Sequence, residues 1–471
     1  MIPAQQQLVA TLTTRFGERI ALTDPKDIDP WLTDWRGRWT GQSGAILQPT
    51  STEEVAAAIR EAAALGVPLV PQGGNTSMVG GATPPEDGSA LILSLRRMNS
   101  IRTIDRAAGS AVAEAGVILQ NLHDAAAEHG LRFPLTLGAK GSATIGGLTS
   151  TNAGGTQVLR FGPMRGLVQG VEAVLPDGTV HDGLMGLKKD NRGPSLDQLL
   201  IGAEGTLGIV TAVRLRLVPA IRSRAVAWLG LASPQAALDV LRALERATAQ
   251  VEGFEILPDE SLRAALNQID GTRSPLASTH RWHALVEAVA TDDDEEPAAL
   301  LERLLAAMLE SGSVEDATIA ASEAQAAAFW KIRDSLSEAE KKEYGPATQH
   351  DISVPVDRMP SFLGEAAQTI EAAFPGTHAS GFGHLGDGNI HFHVRSPDRN
   401  DSGWLAREGG AVTRLVHDLV VAAGGSISAE HGIGQMKRDE LARLSPERVA
   451  AIRALKAGLD PKGLMNPGKL V

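Results

Sequence analysis

Three glycine-rich, polar tracts punctuate the first half of the chain, and they constrain its fold more than any other feature. The first, Pro71-Gln-Gly-Gly-Asn-Thr-Ser-Met-Val-Gly-Gly81, holds four glycines within nine residues. A loop of this kind leaves its backbone amides uncovered, as a cradle for a diphosphate requires. The second runs Leu137-Gly-Ala-Lys-Gly-Ser142-Ala-Thr144-Ile-Gly-Gly147 and continues to Thr151-Asn152-Ala-Gly-Gly155. The third is Gly202-Ala-Glu204-Gly-Thr206-Leu-Gly208-Ile-Val210. None has the glycine spacing of the simple dinucleotide fingerprint. Strand patterns separate them: 67–70, then 168–175 closed by the Pro176-Asp177-Gly178 turn, then 209–218. A helix begins at 49–54, with Ser51 as cap and Glu54 as its reciprocal partner, and runs through Val55, Ile59 and Ala62 to Gly66. Three such loops on one α/β scaffold imply a large dinucleotide held along much of its length.

The second half carries a different chemistry. Gly383-His-Leu-Gly-Asp-Gly-Asn-Ile-His-Phe-His-Val394 alternates Ile390, Phe392 and Val394 with His391 and His393, which reads as a strand with its histidines on one face. Asp387-Gly388 is a favoured centre for a two-residue hairpin turn. That turn predicts His384 opposite His391, roughly 4.5–5.5 Å apart at Cβ. Further on, Ser428-Ala-Glu430-His431-Gly-Ile-Gly434 sets a carboxylate beside a fourth histidine. His384, His391 and Glu430 are thus predicted as a two-imidazole, one-carboxylate set for a divalent metal, with His431 free to move a proton.

At 471 residues two domains are expected. After Pro219 the pattern becomes helix 234–248, strands 251–257 and 282–290, helix 297–311, strand 314–320 and helix 322–342. The boundary is placed at 218–222, giving an N-terminal arm over 1–39, a first domain over 40–218 and a second over 219–471. The acidic run Asp292–Glu296 reads as a solvated loop. Trp31, Trp35 and Trp39 are spaced by four, which could stack them on one helical face or anchor an arm. A net charge of −12 argues against a nucleic-acid partner. No cysteine is present, which removes disulfides and cysteine-linked cofactors and fits a reducing compartment. With no signal-like N-terminus and no apolar stretch of spanning length, a cytoplasmic location is expected. Gly463-Leu-Met-Asn-Pro-Gly468-Lys469 mimics a phosphate-binding loop, but Leu470 stands where Ser or Thr is needed and no helix can follow.

These motifs together resemble the FAD-binding vanillyl-alcohol-oxidase superfamily, and within it the D-2-hydroxyacid dehydrogenases. The loops at 71–81, 137–155 and 202–208, the terminal Asn466-Pro467, and the Gly-His-Leu-Gly-Asp-Gly-Asn-Ile-His and Ala-Glu-His-Gly-Ile-Gly segments carry the resemblance over about residues 30–471. It implies an α+β chain: a two-part, PCMH-type FAD-binding domain, then a ferredoxin-like substrate domain with a C-terminal helical tail. It implies FAD phosphates on the backbone of Gly73, Gly74, Asn75, Thr76 and Ser77. Further cofactor contacts are implied for Ser142, Thr144, Gly147, Asn152, Glu204, Ile209 and Asn466. His384, His391 and Glu430 become metal ligands, most plausibly for zinc, and His431 the base. Arg333, with Ser337 one helical turn on, is implied to bind a substrate carboxylate. A homodimer is expected, with an electron-transfer flavoprotein or a quinone as acceptor.

Three positions depart from the family pattern. Asn75 stands where many members carry the histidine that bonds covalently to the flavin, so FAD is expected to be non-covalent. Gln349 replaces a lysine, and His393 replaces an asparagine, at expected substrate positions. The reaction expected is oxidation of a D-2-hydroxy acid (D-2-hydroxyglutarate-like, D-malate or D-lactate) to the 2-oxo acid. The alternatives are a metal-dependent hydrolase, which leaves the three glycine loops unexplained, and a non-catalytic flavin-binding module.

Overall fold

The helix signalled at Ser51 shows how the first half organises itself. In the computed structural model, which describes residues 1–291 and 294–471, this helix spans Thr52–Leu65. Asp292 and Asp293 of the acidic run lie outside the described residues. The Ser51 hydroxyl accepts the Glu54 amide at 3.2 Å, and Gly66 ends the helix at φ 68°. The Glu54 carboxylate, however, reaches the amide and hydroxyl of Thr50 rather than the cap's own N–H. Val55, Ile59 and Ala62 are buried against Leu8 and Leu12 of the helix Pro3–Phe16. The first 39 residues are therefore no arm. Two leucines at i, i+4 give that helix an apolar stripe, and burying it makes the segment part of the core. The three tryptophans share no helical face either. Asp34 accepts three amides of the following loop (Arg36, Arg38 and Trp39), which turns the chain between Trp31 and Trp39.

By its contacts the chain forms two units. One comprises Met1–Gly155, Phe161–Ala220 and Glu430–Val471; the other comprises Thr156–Arg160 and Ile221–Ala429. Residues 430–471, placed by sequence in the second domain, thus group by contact with the first unit. The tail returns to the first unit, where Leu69 bonds it through both backbone groups: its N–H donates to Leu464 O, and its carbonyl accepts Asn466 N–H. The first unit holds a four-stranded sheet in the order Ala21–Leu22, Ile46–Leu47, Leu91–Ser94, Leu69–Gln72, parallel across its last three strands. Beside it in sequence is a five-stranded antiparallel sheet centred on Ile209–Arg216.

The second unit is built on one antiparallel sheet of seven strands. Their order is Asp316–Ile319, Ser223–Leu231, Trp282–Ala290, Val251–Pro258, His378–His384, Asn389–Arg395, Ala347–Ser353. The first four, with helices Pro234–Ala247 and Pro297–Glu310, make a complete ferredoxin-like βαββαβ motif. The last three repeat its first three strands and join it edge to edge through Val251–Pro258 and His378–His384. Period-two alternation gives the sheet two unlike faces. One buries Ala227, Leu229, Ile256, Ile390, Phe392 and Val394 under helices. The other carries Trp228, Leu257 and Phe382 in a smaller core and then turns polar at Glu255, His384, His391 and His393. The helix expected over 322–342 breaks into Glu323–Asp334 and Leu336–Tyr344. At the junction the Ser335 hydroxyl donates to the Lys331 carbonyl at 2.7 Å, which also accepts the Ser335 amide at 3.2 Å.

Candidate active site

A cavity of about 590 Å³ lies within the first unit, and the glycine tracts form its walls. Gly73, Gly74, Asn75, Thr76 and Ser77 line one side; Ser142, Thr144 and Gly147 line another; Glu204, Asn466, Glu430 and His431 complete it. The glycines are required by close approach. A Cβ on Gly73 would lie 2.2 Å from Thr144 Oγ1, and one on Gly74 would lie 2.0 Å from the Ser142 carbonyl oxygen. Arg96, stacked 4.4 Å over the Trp31 ring, donates to the carbonyls of Gly73 at 3.0 Å and Gly74 at 3.2 Å. In a trans peptide the N–H points opposite to the C=O. The amides of Gly74 and Asn75 therefore point away from Arg96, and the first loop offers bare backbone donors where a diphosphate needs them. The residues fit a dinucleotide.

Two residues expected to touch the cofactor stand outside this lining. Asn152 caps the helix Ile145–Thr151 at φ 51°, and its Oδ1 accepts the Arg165 amide at 2.9 Å. Ile209 begins a central strand and buries its side chain in the core. Both belong to the glycine-rich pattern by sequence and to the scaffold by structure. Asn75 keeps its backbone at φ 56° and donates its side-chain amide to the Thr33 carbonyl at 2.9 Å. Glu204, besides lining the cavity, holds the loop next to it. Its carboxylate oxygens accept the amides of Ile433 and Gly434, each at 2.7 Å. Burial pushes its pKa up, against the pull of those amides.

The histidine hairpin of the second unit forms in a register two residues from the expected one. His384 pairs with Asn389, and His391 pairs with Phe382. The connection is a four-residue loop, 385–388, closed by Gly388 N–H to the His384 carbonyl at 3.1 Å with Gly388 at φ 79°. Leu385 sets this register. It is fully buried, and its amide bonds the Phe254 carbonyl of the adjoining strand, so it cannot continue the hairpin ladder. A shift of two keeps the same face. His384 and His391 therefore remain neighbours, on the diagonal, with ring centroids 5.8 Å apart. Asp351 lies directly across from His391 on the edge strand.

Glu255, which the sequence reading missed, organises this face. It is 1 % exposed on a central strand, opposite His384. Its carboxylate accepts from His384 Nδ1 at 2.5 Å and from Arg333 Nε at 2.8 Å. Burial alone would raise its pKa, but Arg333 and His384 hold it down at about 2. With Nδ1–H given to a carboxylate, Nε2 is the acceptor side of the His384 ring, the tautomer a metal-ligating histidine adopts, and here it takes a hydrogen bond from Arg333 Nη2 at 3.0 Å. The donor set of this unit therefore fits a divalent metal. The one available sequence signal was the pair of acids, Glu252 and Glu255, inside the otherwise apolar strand 251–257.

Arg333 thus sits at the end of its helix beside His384, with an Nη2 to Nε2 distance of 3.0 Å. Ser337 belongs to the next helix, so the expected i, i+4 pair with Arg333 does not form as one helical face. His393 points to the face of His391, but its ring is buried and its Nδ1 bonds Glu340 at 2.7 Å. It is not an open donor. Gln349, partly exposed, lies across from His393.

Two family models match the chain in succession. The family described as "FAD binding domain" matches residues 43–183, and "FAD linked oxidases, C-terminal domain" matches residues 221–470. The chain is 37% identical to a mitochondrial D-2-hydroxyglutarate dehydrogenase of Arabidopsis thaliana, over 97% of this chain and 80% of that one. It is 38% identical to a D-2-hydroxyglutarate dehydrogenase of Xanthomonas citri pv. viticola, over 95% and 93%. Among solved structures, p-cresol methylhydroxylase with substrate bound superposes at TM-score 0.74 and 14% identity, covering 100% and 97%. That likeness concerns the fold alone.

Proposed function

The chain belongs to the FAD-linked D-2-hydroxyacid dehydrogenases of the vanillyl-alcohol-oxidase superfamily, and from that premise we propose a metal-dependent oxidation of a D-2-hydroxy acid of the 2-hydroxyglutarate, malate or lactate class. The observation that carries the reading is the first unit's cavity, where bare glycine loops share one lining with His431 and Glu430. Bound FAD supplies the acceptor for the hydride leaving C2. The backbone of 73–77 holds its diphosphate, and no side chain there offers a covalent attachment in place of Asn75. His431 takes the proton of the substrate hydroxyl as general base. The Arg333 guanidinium, oriented by Glu255, binds a substrate carboxylate.

We further assign His384, His391 and Glu430 as the ligands of a divalent cation, with zinc the best match to two imidazoles and a carboxylate. An ion held there would supply Lewis-acid polarisation of the substrate hydroxyl. A homodimer passing electrons to an electron-transfer flavoprotein or a quinone completes the proposal, on the sequence resemblance; a cytoplasmic location is proposed from the sequence having no signal-like N-terminus. A hydrolase built on the same ligands would leave the flavin-type cavity without a purpose.

A dye-reduction screen across D-lactate, D-malate and D-2-hydroxyglutarate, with and without a chelator, tests this reading. Turnover of at least one acid, lost on chelation and restored by zinc, is the expected result. In the same assay His384→Ala should lose bound metal and activity while keeping its flavin. Full turnover by a chelated, metal-free enzyme would refute the metal assignment.

A further inference from the structure

The segment that places Glu430 and His431 in the cavity lining is a loop with glycines at 432 and 434, and a loop of that composition does not hold a proton-transfer group still by itself. Glu204 meets it. The residue stands in the left-handed region at φ 51°. Its own amide is bound to the Ser150 carbonyl at 2.8 Å, and its carbonyl accepts the Asn466 side-chain amide at 2.6 Å. Tied at both ends of its backbone, it extends a buried carboxylate into the turn after His431.

There each oxygen takes one of two successive amides, Oε1 from Ile433 and Oε2 from Gly434. Successive N–H groups converging on one anion form a nest, and the conformation that builds one alternates left-handed residues with ordinary ones. Gly432 at φ 79° and Gly434 at φ 53° supply that alternation. Neither position has room for a side chain. A Cβ at 432 would stand 2.9 Å from Glu204 Oε1, and one at 434 would stand 2.3 Å from the Val79 carbonyl oxygen. Gln435 and Met436 donate their amides to the same Val79 carbonyl. Lys437 and Lys469, both buried, oppose the negative charge.

We propose that Glu204 is the positioning residue for His431: its carboxylate is the fixed counterpart on which the loop carrying the base is folded. Glu204 touches neither the reacting carbon nor the transferred proton; it acts through the loop. The inference rests on His431 being the base.

The test is a double-mutant cycle on the holoenzyme, read as the rate of flavin reduction by the substrate. Glu204→Gln leaves one acceptor and turns an amide N–H toward a backbone N–H, so one bond is lost and a repulsion is gained. The rate is expected to fall roughly 10- to 100-fold with KM nearly unchanged, the scale of a displaced catalytic group. In the His431→Ala background the same substitution should cost less than about twofold, because residues acting as one unit are not additive. Glu204→Asp keeps both acceptors and should recover most of the rate; Glu204→Ala, which removes the carboxylate without adding an N–H, carries the same cycle should the Gln variant not fold. Independently of turnover, amide hydrogen exchange over residues 430–437 should quicken in Glu204→Gln and stay near wild type in Glu204→Asp. Multiplying losses in the double variant, or unchanged exchange, would overturn the clamp. A His431→Ala enzyme that reduces its flavin at the normal rate would instead overturn the base assignment on which the clamp depends.

Discussion

Glu260 allows a stability prediction to be worked from geometry. It lies on the helix Asp259–Gln268, and its carboxylate accepts from His378 Nε2 at 3.0 Å and from Arg395 at 3.2 and 3.3 Å. Burial pushes its pKa up, but His378 and Arg395 override this and hold it at about 2, against an ordinary 4.5. A group whose folded pKa is depressed contributes stability above its unfolded pKa and loses it as pH falls through the folded one. The Glu260 contribution is therefore whole above about pH 4.5 and drains away toward about pH 2. A shift of that size corresponds to roughly 3 kcal/mol. The side chain is 25 % exposed, so solvent screening brings the expected value down to about 1–2 kcal/mol. His378 carries the opposite sign. Its pKa is raised by the bond from Glu260, so its share is whole below its unfolded value of 6.5 and is lost as pH rises through the folded pKa. The pair is worth most between about pH 4.5 and 6.5. Glu260→Gln should then lower unfolding free energy by about 1–2 kcal/mol in that window, and by less on either side. Arg395 limits the damage, since it keeps Glu340 at 3.4 Å and the Tyr344 ring at 3.7 Å. Urea unfolding of both proteins from pH 4 to pH 8 measures the difference. A wild-type-minus-variant gap that is flat with pH would refute the linkage argument.

Two further outcomes are expected. Acid precipitation should release all flavin into the supernatant, because Asn75 commits its amide to Thr33 and offers no covalent bond; flavin retained in the washed pellet would contradict this. Gln349→Lys should raise kcat/KM for dicarboxylic over monocarboxylic 2-hydroxy acids by a ratio worth on the order of 1–3 kcal/mol, since Gln349 shares the face of Asp351 and lies across from His393. An unchanged preference would show that position 349 does not meet the distal group.

What could be read from the sequence was whatever a short stretch decides for itself. The glycine tracts announced bare backbone, and the cavity they line is where bare backbone is used. Strands alternating His391 and His393 with Ile390, Phe392 and Val394 announced two unlike faces, and the sheet has them. The hairpin register was not decided locally: Asp387-Gly388 favours a two-residue turn, but burying Leu385 against Phe254 outweighs it. The break at Ser335 was hidden for the opposite reason. No glycine or proline marks it, and it is a change of one residue's backbone at Ser335 between two helical segments.

The two acids that matter most were hidden by distance along the chain. Glu255 is meaningful only through His384, a residue 129 positions on, and Glu204 only through Ile433, 229 positions on. A carboxylate in a glycine-rich loop reads as part of whatever the loop binds, because nothing adjacent in sequence competes for it. Yet a buried carboxylate beside a dinucleotide's phosphates would face like charge, which is costly at low dielectric. The amides of Ile433 and Gly434 remove that conflict by giving the charge a partner of its own. The acid in the third tract is therefore better explained by what it holds than by what the cavity holds, and the same substitution that loosens His431 should leave FAD affinity near its original value.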